Sequence, residues 1–338
     1  MQIISNLYLY FLIPLFFTLS ITPLIIRLAR RYNCIDIPGK RRFHKYPTPR
    51  WGGVAFFIGI IPIFFFLEID RQIVSYLIAS FLLIIFGGID DWKPIGWRIK
   101  FLGIILAATI VIFGGGVVVN NIGTYGSYGK VELGILSIPF TYFSVVGVTN
   151  AINLIDGLNG LAGGLSLIAF LFIGIAAYLS GNHVLAMMSI AFVGALGGFL
   201  KYNFPKAKIF MGDSGSLFLG FSLAVFSIFL TQNENFRVDP MFPVMILLIP
   251  IFDTLRVMFV RAFNMKNPFK ADKAHLHHLL VRRKFSSVNA VIFLWSLSII
   301  LGLLAVLIIK RTSTPYLVIT LMTSLILSLY IDSIGKRR

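Results

Sequence analysis

Apolar residues in this 338-residue chain neither alternate nor recur at helical spacing; they come in long runs separated by short polar stretches. A helix needs roughly 20 mostly apolar residues to cross the hydrocarbon core of a bilayer, because each residue advances it by only about 1.5 Å. Eleven runs predict spans at 7–28, 51–67, 73–88, 99–119, 135–155, 158–179, 183–200, 216–231, 241–259, 288–309 and 315–334. Several are short for a span. The stretch "NNIGTYGSYGKVELG" breaks the pattern with glycines between β-formers and predicts a hairpin; no other sheet is expected. The predicted fold is an all-α integral membrane protein of about eleven transmembrane helices, forming one domain over residues 1–338.

Lys and Arg concentrate in cytoplasmic loops of membrane proteins. With the N-terminus outside, the inner segments 27–50, 93–100, 201–208, 256–284 and 336–338 hold 25 of the 30 basic residues. Only Arg71, Lys130, Arg237, Lys310 and Arg311 fall outside. This asymmetry supports an odd number of spans and a cytoplasmic C-terminus. The acids sort by type as well. Glu68, Glu132 and Glu234 fall outside with Asp70 and Asp239, whereas Asp36, Asp90, Asp91, Asp156, Asp213, Asp253, Asp272 and Asp332 fall inside. Short, rigid Asp at helix ends suggests positioned carboxylates. Helix capping, which Asp also favours, is the alternative.

Composition agrees with the pattern: 57% of residues are hydrophobic and only 13% charged, against about a quarter charged in a soluble domain. The net charge of +17 therefore reads as a basic membrane face that meets anionic headgroups and substrates, and not as a nucleic-acid surface. The single cysteine, Cys34, excludes an internal disulfide and a multi-cysteine metal site. The start "MQIISN" lacks the basic segment of a cleaved signal peptide, so the first helix is expected to be retained.

Five inner stretches, near 36–53, 88–100, 150–164, 201–216 and 253–284, carry the candidate chemistry. In "FGGIDDWKPIGWRIK", Asp90 and Asp91 form a carboxylate pair suited to a divalent cation or a shared proton. In "NAINLIDGLNGLAGG", Asn150, Asn153 and Asp156 recur every three residues and are expected on one helix face, beside glycines that admit a close neighbour. In "NFPKAKIFMGDSGSLFLG", Asp213 and Ser214 open an apolar helix whose N-terminal N–H groups would attract anions, unless either residue is merely the cap. Around "ADKAHLHHLL", His275 and His278 at helical spacing could share a zinc, but the surrounding Arg261, Lys270, Lys273, Arg282 and Arg283 favour a phosphate cradle or a solvated basic face. "PGKRRFHKYPTPRWGG" is the most purely basic of the five. Together, on one membrane face, they supply acids for a metal, cations for phosphates and glycines for close approach, which suits phosphoryl transfer. A transporter of an anionic solute is the reading from another class. It would place ionisable groups at mid-membrane, where these spans have none apart from the borderline Asp253.

The ordered series "HKYPTPRWGG", "GGIDDW", "NAINLIDGLNGLAGG", "FMGDSGSLFLG" and "PIFDT…VRAF…ADKAHLHHLL", covering residues 36–280, resembles the polyprenyl-phosphate N-acetylhexosamine-1-phosphate transferases. That resemblance implies eleven helices with the N-terminus outside. It implies transfer of a sugar 1-phosphate from a UDP-N-acetylhexosamine to undecaprenyl phosphate at the cytoplasmic face of the plasma membrane, releasing UMP and requiring Mg²⁺, with Mn²⁺ as a substitute. By the same likeness, Asp213 is the metal ligand, with Asp90, Asp91 and Asp156 as further candidates. Asp90, beside Asp91, deprotonates or orients the lipid phosphate. Asn153 and Asp156 shape the nucleotide site, Asp156 being also a catalytic residue, and Asn150 and Asn159 bind substrate. Phe210 stacks on uracil near Asn203 and Lys45. His277 and His278, with His275 and Arg261, meet the diphosphate or the sugar.

"ADKAHLHHLL" and "PRWGG" are more similar to the WecA/TagO branch, which implies UDP-GlcNAc as donor and the first lipid-linked step of a surface polysaccharide of O-antigen, enterobacterial common antigen or teichoic-acid type. Another UDP-HexNAc or UDP-MurNAc-pentapeptide is the alternative donor. Membrane lipids are implied partners, nucleic acid is not, and a homodimer is an open assembly. Two residues depart from the family pattern: Asn159 stands where a second Asp is usual, and Ile104 where a Gln is common.

Overall fold

The computed structural model describes residues 2–38, 46–233, 238–263 and 275–335. The helices run α1 (Gln2–Arg31), α2 (Gly52–Ile60), α3 (Arg71–Trp92), α4 (Trp97–Thr109), α5 (Ser137–Ile155), α6 (Leu161–Ser180), α7 (His183–Asn203), α8 (Gly212–Thr231), α9 (Met241–Ile246), α10 (Leu248–Phe263), α11 (Leu276–Arg282), α12 (Ser287–Leu307) and α13 (Ser313–Gly335). Their starts follow local chemistry where a capping residue is present. Asp70 accepts the Ile73 N–H at 2.8 Å ahead of α3, and Asn182 accepts the Leu185 N–H at 3.1 Å ahead of α7.

Among the described residues, nine helices are long and apolar enough to cross a membrane. The two other expected runs are interrupted by proline. Run 51–67 begins as α2 and tightens into a 3₁₀ turn at Ile61–Phe66, because Pro62 offers no N–H and its ring crowds the preceding turn. Run 241–259 splits at Leu247 into α9 and α10, because Pro250 cannot bond the carbonyl four residues back.

The expected hairpin is present: β3 (Asn121–Tyr125) pairs antiparallel with β4 (Gly129–Glu132), with Tyr125 opposite Gly129. A pair not foreseen joins β1 (Ile35–Asp36) to β2 (Thr48–Pro49), with Asp36 opposite Thr48. An ion pair at 2.9 Å from Arg50 to Asp36 reinforces it.

The core is centred on α8, which is buried along most of its length. Small residues let neighbours close on it. A methyl at Gly53 of α2 would lie 2.1 Å from the Gly215 nitrogen, one at Gly87 of α3 2.5 Å from Ser214 Cα, and one at Gly220 2.6 Å from Thr149 Cα of α5. Close backbone approach of this kind replaces the hydrophobic drive that helices lack within lipid. Phenylalanines fill the remaining space: the Phe170 and Phe192 rings stack at 4.2 Å, and Phe57 meets Phe218 edge-on at 5.1 Å. The ends of α3 and α5 and the starts of α4 and α8 therefore meet at one end of the bundle.

Candidate active site

Asp90 and Asp91 are adjacent in the last turn of α3, so they leave the helix about 100° apart. Asp91 points to α8. Its Oδ1 accepts the Asp213 N–H at 2.8 Å, and its Oδ2 accepts the Ser214 N–H at 3.1 Å and the Ser214 hydroxyl at 2.8 Å. The residue ahead of α8, Met211, supplies no side-chain cap, so Asp91 caps that helix from another one. Gly212 makes this approach feasible. Its φ of +71° is left-handed, and a methyl there would lie 2.3 Å from the Asp91 carboxylate.

Asp90 points the other way. Its Oδ1 accepts the Ile95 N–H at 2.9 Å, which shapes the turn into α4, and its Oδ2 meets Lys100 Nζ at 3.3 Å. The same Nζ lies 2.7 Å from Asp213 Oδ2. Lys100 thus joins α3, α4 and α8 through one cation.

The three-residue spacing was expected to keep Asn150, Asn153 and Asp156 on one helix face. Instead α5 ends at Ile155, and Asp156 follows it with non-helical backbone, φ −73° and ψ 59°. Asn150 turns back on its own helix, donating to the Val146 carbonyl at 3.1 Å. Asn153 donates to the Ser216 hydroxyl of α8 at 2.8 Å. Asp156 is half-buried. Burial pushes its carboxyl up to about 7, with the Asp213 and Asp91 carboxylates adding to the push and Arg50 opposing it.

Asn159 and Asn203 serve the loop after Asp156. Asn203 accepts the Gly160 N–H at 2.7 Å and donates to the Ile209 carbonyl at 2.9 Å, while Asn159 donates to the Pro205 carbonyl at 3.1 Å. In this structure both amides clamp one loop to the next. Phe210 is half-buried, and its backbone locks the stretch before α8 to the approach of α2: its N–H donates to the Pro49 carbonyl at 2.8 Å, and its carbonyl accepts the Gly52 N–H at 2.9 Å.

The histidines form a separate group beside the Asp156 loop. A methyl at Gly157 would lie 2.2 Å from His277 Nε2. The His277 and His278 ring centres are 4.3 Å apart. The zinc alternative gains no support: among the described residues no group of three or more His, Cys, Asp or Glu could hold a metal, and His275 stands before α11 in extended backbone with its Nδ1 at 2.8 Å from Asp253. Arg261 is buried in the last turn of α10. Lys45 lies outside the described residues.

Four carboxylates, those of Asp90, Asp91, Asp156 and Asp213, face mainly Lys100 and Arg50, so the site carries surplus negative charge. Hard carboxylate oxygens in surplus suit a divalent cation such as Mg²⁺. No group of three or more His, Cys, Asp or Glu is arranged around a common metal position among the described residues. The donor type and charge fit a cation; a complete protein cage is not needed for an ion that keeps waters and phosphate oxygens.

Lys100, Ser214, Arg50 and Asp253 were not picked out from the sequence as site residues. Only Lys100 left a usable signal, as a lysine opening an apolar run ten residues after a carboxylate.

Residues 73–231 match the family model described as Glycosyl transferase family 4. That region includes Asp90, Asp91, Lys100, Asp156 and Asp213, but not Arg50, His275, His277 or His278. The chain is 34% identical over 324 residues to a Bacillus subtilis (strain 168) protein named "Probable undecaprenyl-phosphate N-acetylglucosaminyl 1-phosphate transferase", covering 95% of this chain and 89% of that one. A Haemophilus influenzae protein named "Undecaprenyl-phosphate alpha-N-acetylglucosaminyl 1-phosphate transferase" is 32% identical, covering 85% of this chain and 83% of its own. The Escherichia coli (strain K12) protein of that same name is 28% identical, covering 83% of this chain and 78% of its own.

Proposed function

From membership of the polyprenyl-phosphate N-acetylhexosamine-1-phosphate transferase family, to which this chain belongs, we propose that it moves N-acetylglucosamine 1-phosphate from UDP-GlcNAc to undecaprenyl phosphate. The products are undecaprenyl-diphosphate-GlcNAc and UMP. The observation that carries this reading is the Lys100 bridge between Asp90 and Asp213, set beside Asp156, in a chain aligned over 95% of its length with a relative named for that reaction.

An oxygen of the lipid phosphate attacks the sugar-bearing phosphorus of the donor, and the bond to the bridging oxygen of UMP breaks. Asp90 orients the lipid phosphate or takes its proton, whose second ionisation lies near neutrality. Lys100 sits where it can turn from carboxylates to phosphate oxygens as charge develops. Asp213 and Asp156 are the residues that would hold Mg²⁺, which supplies charge neutralisation at the diphosphate when bound. Asp91 keeps the start of α8 in place. His275, His277, His278 and Arg261 would serve the diphosphate or sugar side, and Phe210 the uracil.

On this reading the site faces the cytoplasm, and the product begins a surface polysaccharide. A transporter is less well supported, because these carboxylates gather at one end of the bundle. Mass spectrometry of the lipid product, with UMP release measured across a panel of UDP-sugars in detergent, tests the proposal. UDP-GlcNAc should give the fastest release and a lipid diphosphate bearing one HexNAc. Absence of UMP release with every donor, or solute flux in vesicles, would overturn it.

A further inference from the structure

Asp253 is 1% exposed in the second turn of α10 and plays no part in the chemistry above. Its two oxygens reach forward 22 and 23 residues in sequence. Oδ1 accepts the Leu276 N–H at 2.7 Å, and Oδ2 lies 2.8 Å from His275 Nδ1. Arg256 Nη2 stands 3.6 Å from Oδ1, an ion pair beyond hydrogen-bond distance.

These bonds do two things. His275 precedes α11 without giving it a side-chain cap, so Asp253 supplies one from α10. An ionised carboxylate only accepts, so His275 Nδ1 is the donor, and in the uncharged form of the ring that leaves Nε2 as the acceptor. Two residues on, His277 is 1% exposed, and its two ring nitrogens have no hydrogen-bond partner among the described residues. Its ring fills the space above Gly157, next to Asp156, and stacks 5.9 Å from the His275 ring. The start of α11 thus lays a row of imidazoles against the Asp156 loop, and Asp253 fixes both its position and the tautomer of its first member.

We infer that Asp253 is a positioning residue that sets the His275 tautomer and seats the α11 histidines against the Asp156 loop, where they receive the phosphate-bearing part of the donor. This rests on the transferase reading above. It separates the two bonds: Asp253→Asn keeps an oxygen for the Leu276 N–H but offers an amide N–H to His275, which forces the opposite tautomer.

The test joins two measurements. ¹⁵N spectra of histidine-labelled protein in detergent, with His275→Ala to assign the signal, read the tautomer whether or not the protein turns over. His275 should carry its proton on Nδ1 in the native chain and on Nε2 in Asp253→Asn, with the melting temperature preserved. In the UMP-release assay, Asp253→Asn should lower kcat/KM for the UDP-sugar roughly 10- to 100-fold, as losing a charge-assisted hydrogen bond does. Most of that loss should disappear when the substitution is made in the His275→Ala background. An unchanged His275 spectrum in Asp253→Asn overturns the inference. So does an equal loss in both backgrounds, which would mean that Asp253 acts on stability alone. Native protein that turns over no donor while the tautomer switches as expected sinks the transferase reading instead.

Discussion

Lys100 Nζ stands 2.7 Å from Asp213 Oδ2, across 113 residues of sequence, and the same ammonium reaches Asp90 Oδ2 at 3.3 Å. One cation therefore ties the end of α3 to the start of α8. Replacing Lys100 by Met keeps length and removes charge, leaving two carboxylates to face each other. Turnover should fall about 10²–10³-fold, the cost of losing one donor to developing charge, with a lower melting temperature. Lys100→Arg should recover part of the melting temperature. Undiminished UMP release by Lys100→Met would show that the bridge is only structural.

Asp90 and Asp213 should separate by their phenotypes. Asp90→Asn should depress turnover far more than donor binding, and raising the pH should restore part of it, because a fully ionised lipid phosphate needs no base. Equal loss at every pH would point to a structural role. Asp213→Ala should abolish turnover at any Mg²⁺ concentration; a Mg²⁺ titration that matches the native one would leave Asp213 without a metal.

Gly87 and Gly147 make an internal control. A methyl at Gly87 would lie 2.5 Å from the backbone of Ser214, which cannot move aside, whereas one at Gly147 meets nothing within 4 Å. Gly87→Ala should cost about 1–3 kcal/mol through overpacking, while Gly147→Ala should be neutral or gain up to about 1 kcal/mol from helix propensity. Thermal melts in detergent compare the two. Equal melting temperatures would mean that α3 and α8 are less closely packed than this.

Cys34 follows α1 in the stretch that the charge asymmetry predicts to be the first inner loop, but it is fully buried and its thiol is pushed up to about 12, chiefly by burial. It should therefore resist maleimides in the folded protein and is a poor reporter of sidedness. Its inertness leaves the native chain as a clean background. Tyr128→Cys in the hairpin, 90% exposed in the native chain, should react with an impermeant reagent from outside. The exposed Lys93→Cys should react only in inside-out vesicles. The reverse pattern would invert the orientation.

Burial, reinforced by the neighbouring His278, lowers His277 from 6.5 to about 3, with Asp253 opposing the shift. The native state therefore favours the neutral ring. That contribution to stability is fully present above pH 6.5 and is lost as pH falls towards 3. Melting temperature should decline across this acid range, and the decline should be shallower for His277→Gln, which does not titrate. Parallel pH profiles for the two proteins would assign the acid sensitivity to other groups.

The sequence by itself determined the membrane class, the position of each apolar run, the hairpin and the five polar stretches. All of these are local properties: run length against bilayer thickness, turn residues and clustered charge. The breaks fall beside Pro62 and Pro250, but Pro14 and Pro23 leave α1 helical, so a missing N–H alone did not mark where a run would break. Tertiary packing decided what each polar residue does. Asp90 and Asp91 are indistinguishable in "IDDW", yet the helical rotation between them sends one to Lys100 and the other to the α8 N-terminus. Equal spacing made Asn150, Asn153 and Asp156 look like one face, but the helix ends at Ile155, and only Asn153 hydrogen-bonds to α8. Lys100 and Asp213, like Asp253 and His275, become partners only once their helices are packed side by side. A side chain's charge belongs to its own position in the chain, but its hydrogen-bond partner is set by which helix lies within about 3 Å, and that is settled by small residues such as Gly53, Gly87 and Gly220, which let α2, α3 and α5 close on α8.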